Sequence, residues 1–185
     1  MRICCLKPSV TREQAIAQLT AQGATRLLRT LTGGPLRSVA ELYVPFCLYR
    51  ARISNRGRLE ESLVALDSVA GILDLFRFDH VPAGEETISL ETRNHMAANV
   101  PERLLRERLV AKLRRLAYQR GFFRLQDLAI AAEPVNELYL PYWLGFRGSQ
   151  LRARLTVLDA VRRRLEGAKM RRLVESWLLS NSPLS

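Results

Sequence analysis

Two aspartates occupy matching places, Asp67 after Leu63-Val64-Ala65-Leu66 and Asp159 after Leu155-Thr156-Val157-Leu158. Brought together, a pair of carboxylates can share a proton or hold a cation, which is what acid–base or metal chemistry requires. Kept apart, each is a turn residue whose side-chain oxygens accept nearby backbone N–H groups. Aromatics form the second constellation: Tyr43, Phe46 and Tyr49 in one place, Tyr139, Tyr142 and Trp143 in another. Set beside arginines, Tyr43, Tyr49, Tyr139 and Trp143 would make an aromatic platform that stacks a base or seats a peptide. Placed inward, the same side chains fill a helix–sheet interface.

The third constellation is cationic. It comprises Arg152 and Arg154, then Arg162, Arg163 and Arg164, then Lys169, Arg171 and Arg172. Arg103, Arg106, Arg108, Lys112, Arg114 and Arg115 precede them along one helical segment. If these groups converge, they form a surface for phosphates or an acidic partner. Otherwise they are solvated faces, partly neutralised by Glu102, Glu107, Glu166 and Glu175. Arg103 with Glu107, and Arg171 with Glu175, have the four-residue spacing of helical ion pairs.

Other chemistry finds little support. Cys4, Cys5 and Cys47 are an odd set with no CxxC pair, which argues against a disulfide scaffold or a structural zinc. His80 and His95 have no acidic or thiol partner at ligand spacing. Gly33-Gly34-Pro35 lacks the Lys-Ser/Thr of a phosphate loop, and no Gly-x-Ser-x-Gly elbow, HExxH or GxGxxG occurs. The expectation is a protein without a catalytic constellation, a metal or a cofactor.

The formal net charge of +11 is unevenly distributed. Residues 1–95 carry 12 Lys and Arg against 10 Asp and Glu, a net of +2, whereas residues 96–185 carry 17 against 8, a net of +9. Only Lys7, Lys112 and Lys169 are lysines. An Arg-rich half attracts polyanions, and guanidinium groups pair bidentately with phosphate. Lys7 and Pro8 interrupt the N-terminus before a signal peptide's apolar core could form. The best apolar stretch, 62–76, contains Asp67 and Asp74 and is too short to span a bilayer. A reducing cytoplasm is the expected compartment.

These residues lie on an internal repeat. Glu41-Leu42-Tyr43-Val44-Pro45-Phe46 matches Glu137-Leu138-Tyr139-Leu140-Pro141-Tyr142. Upstream, Gly23-Ala24-Thr25-Arg26-Leu27 matches Gly121-Phe122-Phe123-Arg124-Leu125, and downstream the two Asp-terminated segments match. Three blocks in the same order define a duplication.

Each copy opens with a helix. Thr11 and Gln14 have capping-box spacing ahead of Ala15, Ile16 and Leu19, and Gly23 stops that helix. Asn99 and Glu102 start the second, with Leu105, Leu109, Leu113 and Leu116 at helical spacing and Gly121 as the stop. Strands are expected at 26–31, 42–53, 63–67 and 72–78 in copy one, and at 123–131, 138–147 and 151–159 in copy two. Pro45 and Pro141 predict an edge position or a bulge. A short strand is possible at 87–91, and a basic amphipathic helix closes the chain from about Lys169 onward.

The expected fold is α+β. It consists of two tandem repeats, each an amphipathic helix on a small antiparallel sheet, with an extra C-terminal helix. Unit one would span 1–80, a linker 81–98, and unit two 99–185. The first functional reading is a non-enzymatic protein-interaction or scaffolding module with a protein partner or self-association. The alternative is a nucleic-acid-binding protein that uses the arginine-rich second copy.

Overall fold

The computed structural model describes residues 1–20, 34–55, 57–121, 127–148 and 154–181. The expected strand at 26–31, the Gly23 stop, Gly33, residues 123–126 of the expected strand at 123–131, and Arg152 lie outside that set.

Strand β1 (Arg2–Leu6) is followed by helix α1 (Arg12–Thr20), the long strand β2 (Leu36–Asn55), β3 (Arg58–Asp67) and the short β4 (Phe76–Phe78). Then come β5 (Thr87–Glu91), helix α2 (Glu102–Gly121), the long strand β6 (Ala129–Arg147), β7 (Arg154–Asp159), β8 (Arg164–Leu165) and helix α3 (Ala168–Asn181). The eight strands belong to one sheet of order β4-β3-β2-β6-β1-β5, with β7 paired to β6 and β8 to β7. This overturns the expectation of two small sheets, each carrying its own helix.

The reason lies in which strands each helix covers. The chain divides into two compact units. The first holds Met1–Val44, Thr87–Met96 and Leu140–Ser185; the second holds Pro45–Glu86 and Ala97–Tyr139. In the first unit, Val10, Ala15 and Leu19 of the first copy pack with Trp143, Leu158 and Ala160 of the second. In the second unit, Leu105, Leu109 and Leu113 of the second copy pack with Tyr49, Ala51, Val64 and Leu66 of the first. The helices are exchanged. Each helix therefore finishes the core of the other copy's strands, and neither copy closes on itself. Burying each of these leucines contributes about 2 kcal/mol.

The long strands follow from the same exchange. β2 and β6 each run from one unit into the other, and the prolines mark the crossing, since Pro45 opens its segment and Pro141 follows Leu140. Proline cannot donate to a ladder. Here each stands one residue before a ladder begins, at Phe46↔Asp67 with β3 and at Tyr142↔Asp159 with β7. β2 lies between β3 and β6, so the edge position expected from Pro45 is not found.

Local signals behave as their chemistry requires. Thr11 N–H donates to Gln14 Oε1 (3.0 Å) and Gln14 N–H to Thr11 Oγ1 (3.3 Å), a complete capping box. α2 differs from expectation. It begins at Glu102, the Leu105 N–H bonds the Pro101 carbonyl, and the Asn99 N–H is used elsewhere. Gly145 stands where the first copy has Tyr49, 96 positions earlier in the repeat frame. A Cβ there would lie 3.1 Å from Leu19 Cδ1, so its bare backbone leaves room for α1. Two elements carry little sequence signal: β1, and the segment after β5 that buries Met96 and bridges His95 to Tyr43.

β1 pairs antiparallel with β5 and alternates its faces, so Cys4 is exposed and Cys5 is buried. Burial, then Cys4 and Glu41, pushes the Cys5 thiol up to about 12. Because the thiolate is the nucleophile, iodoacetamide at pH 8 should modify Cys4 in the native protein and reach Cys5 only on unfolding. Mass spectrometry of the Cys4→Ser and Cys5→Ser variants separates the two thiols. Equal rates for both would contradict the buried face of β1.

Candidate functional site

Asp67 and Asp159 build matching turns, one in each unit. Asp67 Oδ1 accepts the N–H groups of Ala70 (2.8 Å) and Gly71 (2.9 Å), and Oδ2 accepts that of Leu73 (2.8 Å). Asp159 Oδ1 accepts from Val161 (2.8 Å) and Arg162 (2.7 Å), while Arg162 Nε reaches Oδ2 at 2.6 Å. Both carboxylates are buried. The fifth residue of each turn takes a left-handed backbone, Gly71 at φ 66° and Arg163 at φ 57°. These oxygens are occupied in holding turns, which is the structural role the sequence offered for them.

The same turns receive the exchanged helices. The Ser68 N–H donates to the Pro45 carbonyl, and the Ala160 N–H to that of Pro141. The Ser68 carbonyl then accepts the N–H groups of Asn99 and Val100 (2.9 and 3.0 Å), just ahead of α2. The Ala160 carbonyl accepts those of Ser9 and Val10 (2.7 and 3.1 Å), just ahead of α1.

The aromatic platform is corrected by burial. Tyr43, Tyr49, Tyr139 and Trp143 are all buried, as are Phe46 and Tyr142. Trp143 Nε1 donates to the Val10 carbonyl at 3.0 Å, which ties the repeat strand to the lead-in of α1. Tyr43 Oη donates to Glu41 Oε2 at 3.1 Å; burial and then Glu41 raise its hydroxyl well above the ordinary range. Tyr49 is raised by burial and then by the Cys47 thiol, and Tyr139 by burial and then Glu137. Neutral phenols locked in a core offer no open face to a ligand.

The cations divide into two groups. Arg162 bonds Asp159 and also reaches Glu166 Oε1 at 3.3 Å. Arg163 donates to the Ser9 carbonyl at 3.0 Å, and Arg164 faces Glu166 at 3.4 Å. Arg162 is half-buried and braces the Asp159 turn, whereas Arg163 and Arg164 remain exposed while each holds a contact within the protein. Arg154 is exposed on β7, in register with Arg147. Arg147 itself donates to the Leu19 carbonyl. Lys169, Arg171 and Arg172 are exposed on α3, whose Met170, Leu173 and Val174 face inward. The expected Arg171–Glu175 pair is not formed.

α2 presents the cationic face that the sequence placed second. Arg108 turns inward to the Ala70 carbonyl, and Lys112 Nζ to those of Ile72 and Leu73 (3.0 and 2.7 Å). Arg103 forms the expected pair with Glu107 at 2.8 Å, an exposed contact that contributes little to stability. Arg106, Arg114 and Arg115 are exposed and form no ion pair among the described residues. At 3.6 residues per turn, Arg103, Glu107, Ala111, Arg114 and Tyr118 fall within about 80° of helix surface. Ala111, Arg114, Arg115, Tyr118 and Gln119 line an open groove of about 530 Å³. The signal was available in the sequence: cations on the stripe opposite Leu105, Leu109 and Leu113 must point outward.

No protein family, curated protein or solved structure matches this chain. Among the described residues, no helix is long and apolar enough to cross a membrane, and no three metal-ligating side chains are grouped.

The two classes of cation make opposite predictions for stability. Arg162→Ala leaves Asp159 buried without its cation and should cost about 3 kcal/mol in urea unfolding. Arg171→Ala and Arg172→Ala should each stay within about 0.5 kcal/mol of the parent. Equal effects would mean that Arg162 is not held as described.

Proposed function

We propose that this protein is a nucleic-acid-binding module that engages phosphates through the outer face of α2. The observation that carries this reading is the division of labour along one helix. Arg108 and Lys112 turn inward to backbone carbonyls, while Arg106, Arg114 and Arg115 point outward without ion-pair partners among the described residues. The net of +9 in residues 96–185 supports it, since a cationic field attracts a polyanion before contact is made.

Each phosphate neutralised contributes about −0.7 (single strand) to −0.9 (duplex) to the slope of log affinity against log salt. Three outward arginines therefore predict a slope of about −2 to −3 in fluorescence-anisotropy titrations of labelled oligonucleotides. The double variant Arg114→Gln/Arg115→Gln should make the slope shallower by about 1.5, and Arg171→Gln/Arg172→Gln should leave it unchanged. An absence of saturable binding at low salt rejects the reading. So does a slope that responds to the α3 pair and not to the α2 pair.

A second reading, a protein-interaction module, is favoured by the far end of α3. There Leu179 is 80% exposed beside the half-buried Trp177 and Leu178. An apolar contact of this kind predicts association that is nearly independent of salt. If this end joins two copies, Leu179→Glu should abolish concentration-dependent dimerisation in sedimentation velocity. A parent protein that stays monomeric at high concentration would exclude self-association through this end.

A further inference from the structure

We propose that the outer edge of β5 joins two copies of this chain into a closed dimer, with β5 of one copy added antiparallel to β5 of the other.

The ladder between β1 and β5 decides which main-chain groups face outward. Both strands belong to the first unit. The Met1 amino group donates to the Thr92 carbonyl (3.3 Å) and the Thr92 N–H to the Met1 carbonyl (3.1 Å), so Met1 and Thr92 form a hydrogen-bonded pair. In an antiparallel ladder such pairs alternate with pairs whose N–H and C=O groups point away from the partner strand. The next hydrogen-bonded pairs are Ile3 with Leu90 and Cys5 with Ile88. The main-chain groups of the exposed Ser89 and Glu91 therefore point away from β1, and among the described residues the sheet ends at β5. Natural edges are commonly blunted by proline, lysine, a bulge or extreme shortness. β5 contains no proline or lysine, and its register to β1 runs unbroken through five pairs. The other terminal strands, β4 and β8, have only three and two residues.

Charge selects the occupant of this edge. Arg2 lies opposite Glu91, and its Nε donates to Ser89 Oγ at 2.9 Å, which carries the guanidinium across to β5. A twofold axis at Leu90 sets Ser89 against Glu91 of a second copy. That pair exchanges two main-chain hydrogen bonds, and the axis repeats it. Side chains directly opposite share a face. Glu91 of the second copy thus stands beside the Ser89 that Arg2 holds, within reach of its guanidinium, and the axis repeats this ion pair too. On the other face Leu90 meets its own counterpart. The edge is complementary to itself, and the assembly closes because both copies use the same edge. An unrelated extended peptide would meet the same N–H and C=O groups without the two charge pairs.

The test is sedimentation velocity of the full chain over a concentration series at low salt, which should show a monomer–dimer equilibrium. Glu91→Pro removes an outward N–H and leaves the ladder to β1 intact. Two intermolecular hydrogen bonds are lost, so the dimer should weaken by roughly 30-fold or more. Arg2→Glu and Glu91→Arg each set like charges against one another across the axis, and each alone should sediment as a monomer. An equimolar mixture of these two variants pairs opposite charges at both positions and should recover the dimer, which no contact within one chain can produce. Circular dichroism verifies that each variant is folded, and the charge variants decide the matter even if Glu91→Pro unfolds. A parent that stays monomeric overturns the proposal, as does a mixture that stays monomeric. A dimer that survives the β5 variants and is lost with Leu179→Glu overturns it as well, and places the contact on α3.

Discussion

A buried carboxylate at the end of an apolar strand is the constraint on which this structure depends. Asp67 and Asp159 sit where a strand must stop and the backbone must turn within the core. Unpaired N–H groups there would each carry the penalty of a buried, unsatisfied donor. The carboxylate accepts two or three of them at once. That fixes the turn and leaves the carbonyl of the next residue, Ser68 or Ala160, as an acceptor for two more N–H groups. Those donors come from the lead-in of a helix, and the helix comes from the other copy. One short-range device thus sets a long-range arrangement, and it does so twice.

The exchange explains why the most conspicuous repeated residues are buried. The duplicated Tyr-x-Pro-aromatic segment is the part of each long strand that passes from one unit to the other. Its aromatics fill the cores, its prolines precede the ladders to β3 and β7, and Trp143 anchors the lead-in of α1. Copies that share a buried node must keep similar residues there. Their outer surfaces are under no such constraint. Copy one offers a short, weakly charged α1. Copy two offers the long α2, with its outward arginines and Tyr118. Any ligand-specific property is to be sought where the copies differ.

Much of this was legible in the sequence. The duplication, the Thr11–Gln14 capping box, the leucine stripe of α2, the Arg103–Glu107 pair and the strand at Thr87–Glu91 all follow from short-range rules. Their physics is completed within a few residues. The exchange was not legible, because an apolar stripe such as Leu105-Leu109-Leu113 states that a helix must be covered without stating by which sheet. The edge alternative for Pro45 and Pro141 failed for a related reason. An edge and a change of ladder partner both remove the need for an N–H. The arginine run at Arg162, Arg163 and Arg164 read as an unpaired patch because its partners, Asp159, Glu166 and the Ser9 carbonyl, meet it only once the turn and β8 have formed. On α2 the leucine stripe marks Arg103, Arg114 and Arg115 as outward, but it does not sort the exposed Arg106, which flanks Leu113, from Arg108, which turns inward. Burial of the repeat aromatics was one of two arrangements that the sequence left open.

The exchange itself is tested most directly by methyl-to-methyl and methyl-to-aromatic nuclear Overhauser effects in the intact chain. The Leu19 methyl groups should show cross-peaks to Leu158 and to the Trp143 ring, and the Leu109 methyl groups to Leu66 and Tyr49. Cross-peaks from Leu19 to Leu66 and from Leu109 to Leu158 would place each helix on its own copy. That result would contradict the exchanged architecture, and with it the structural role assigned to the two aspartate turns.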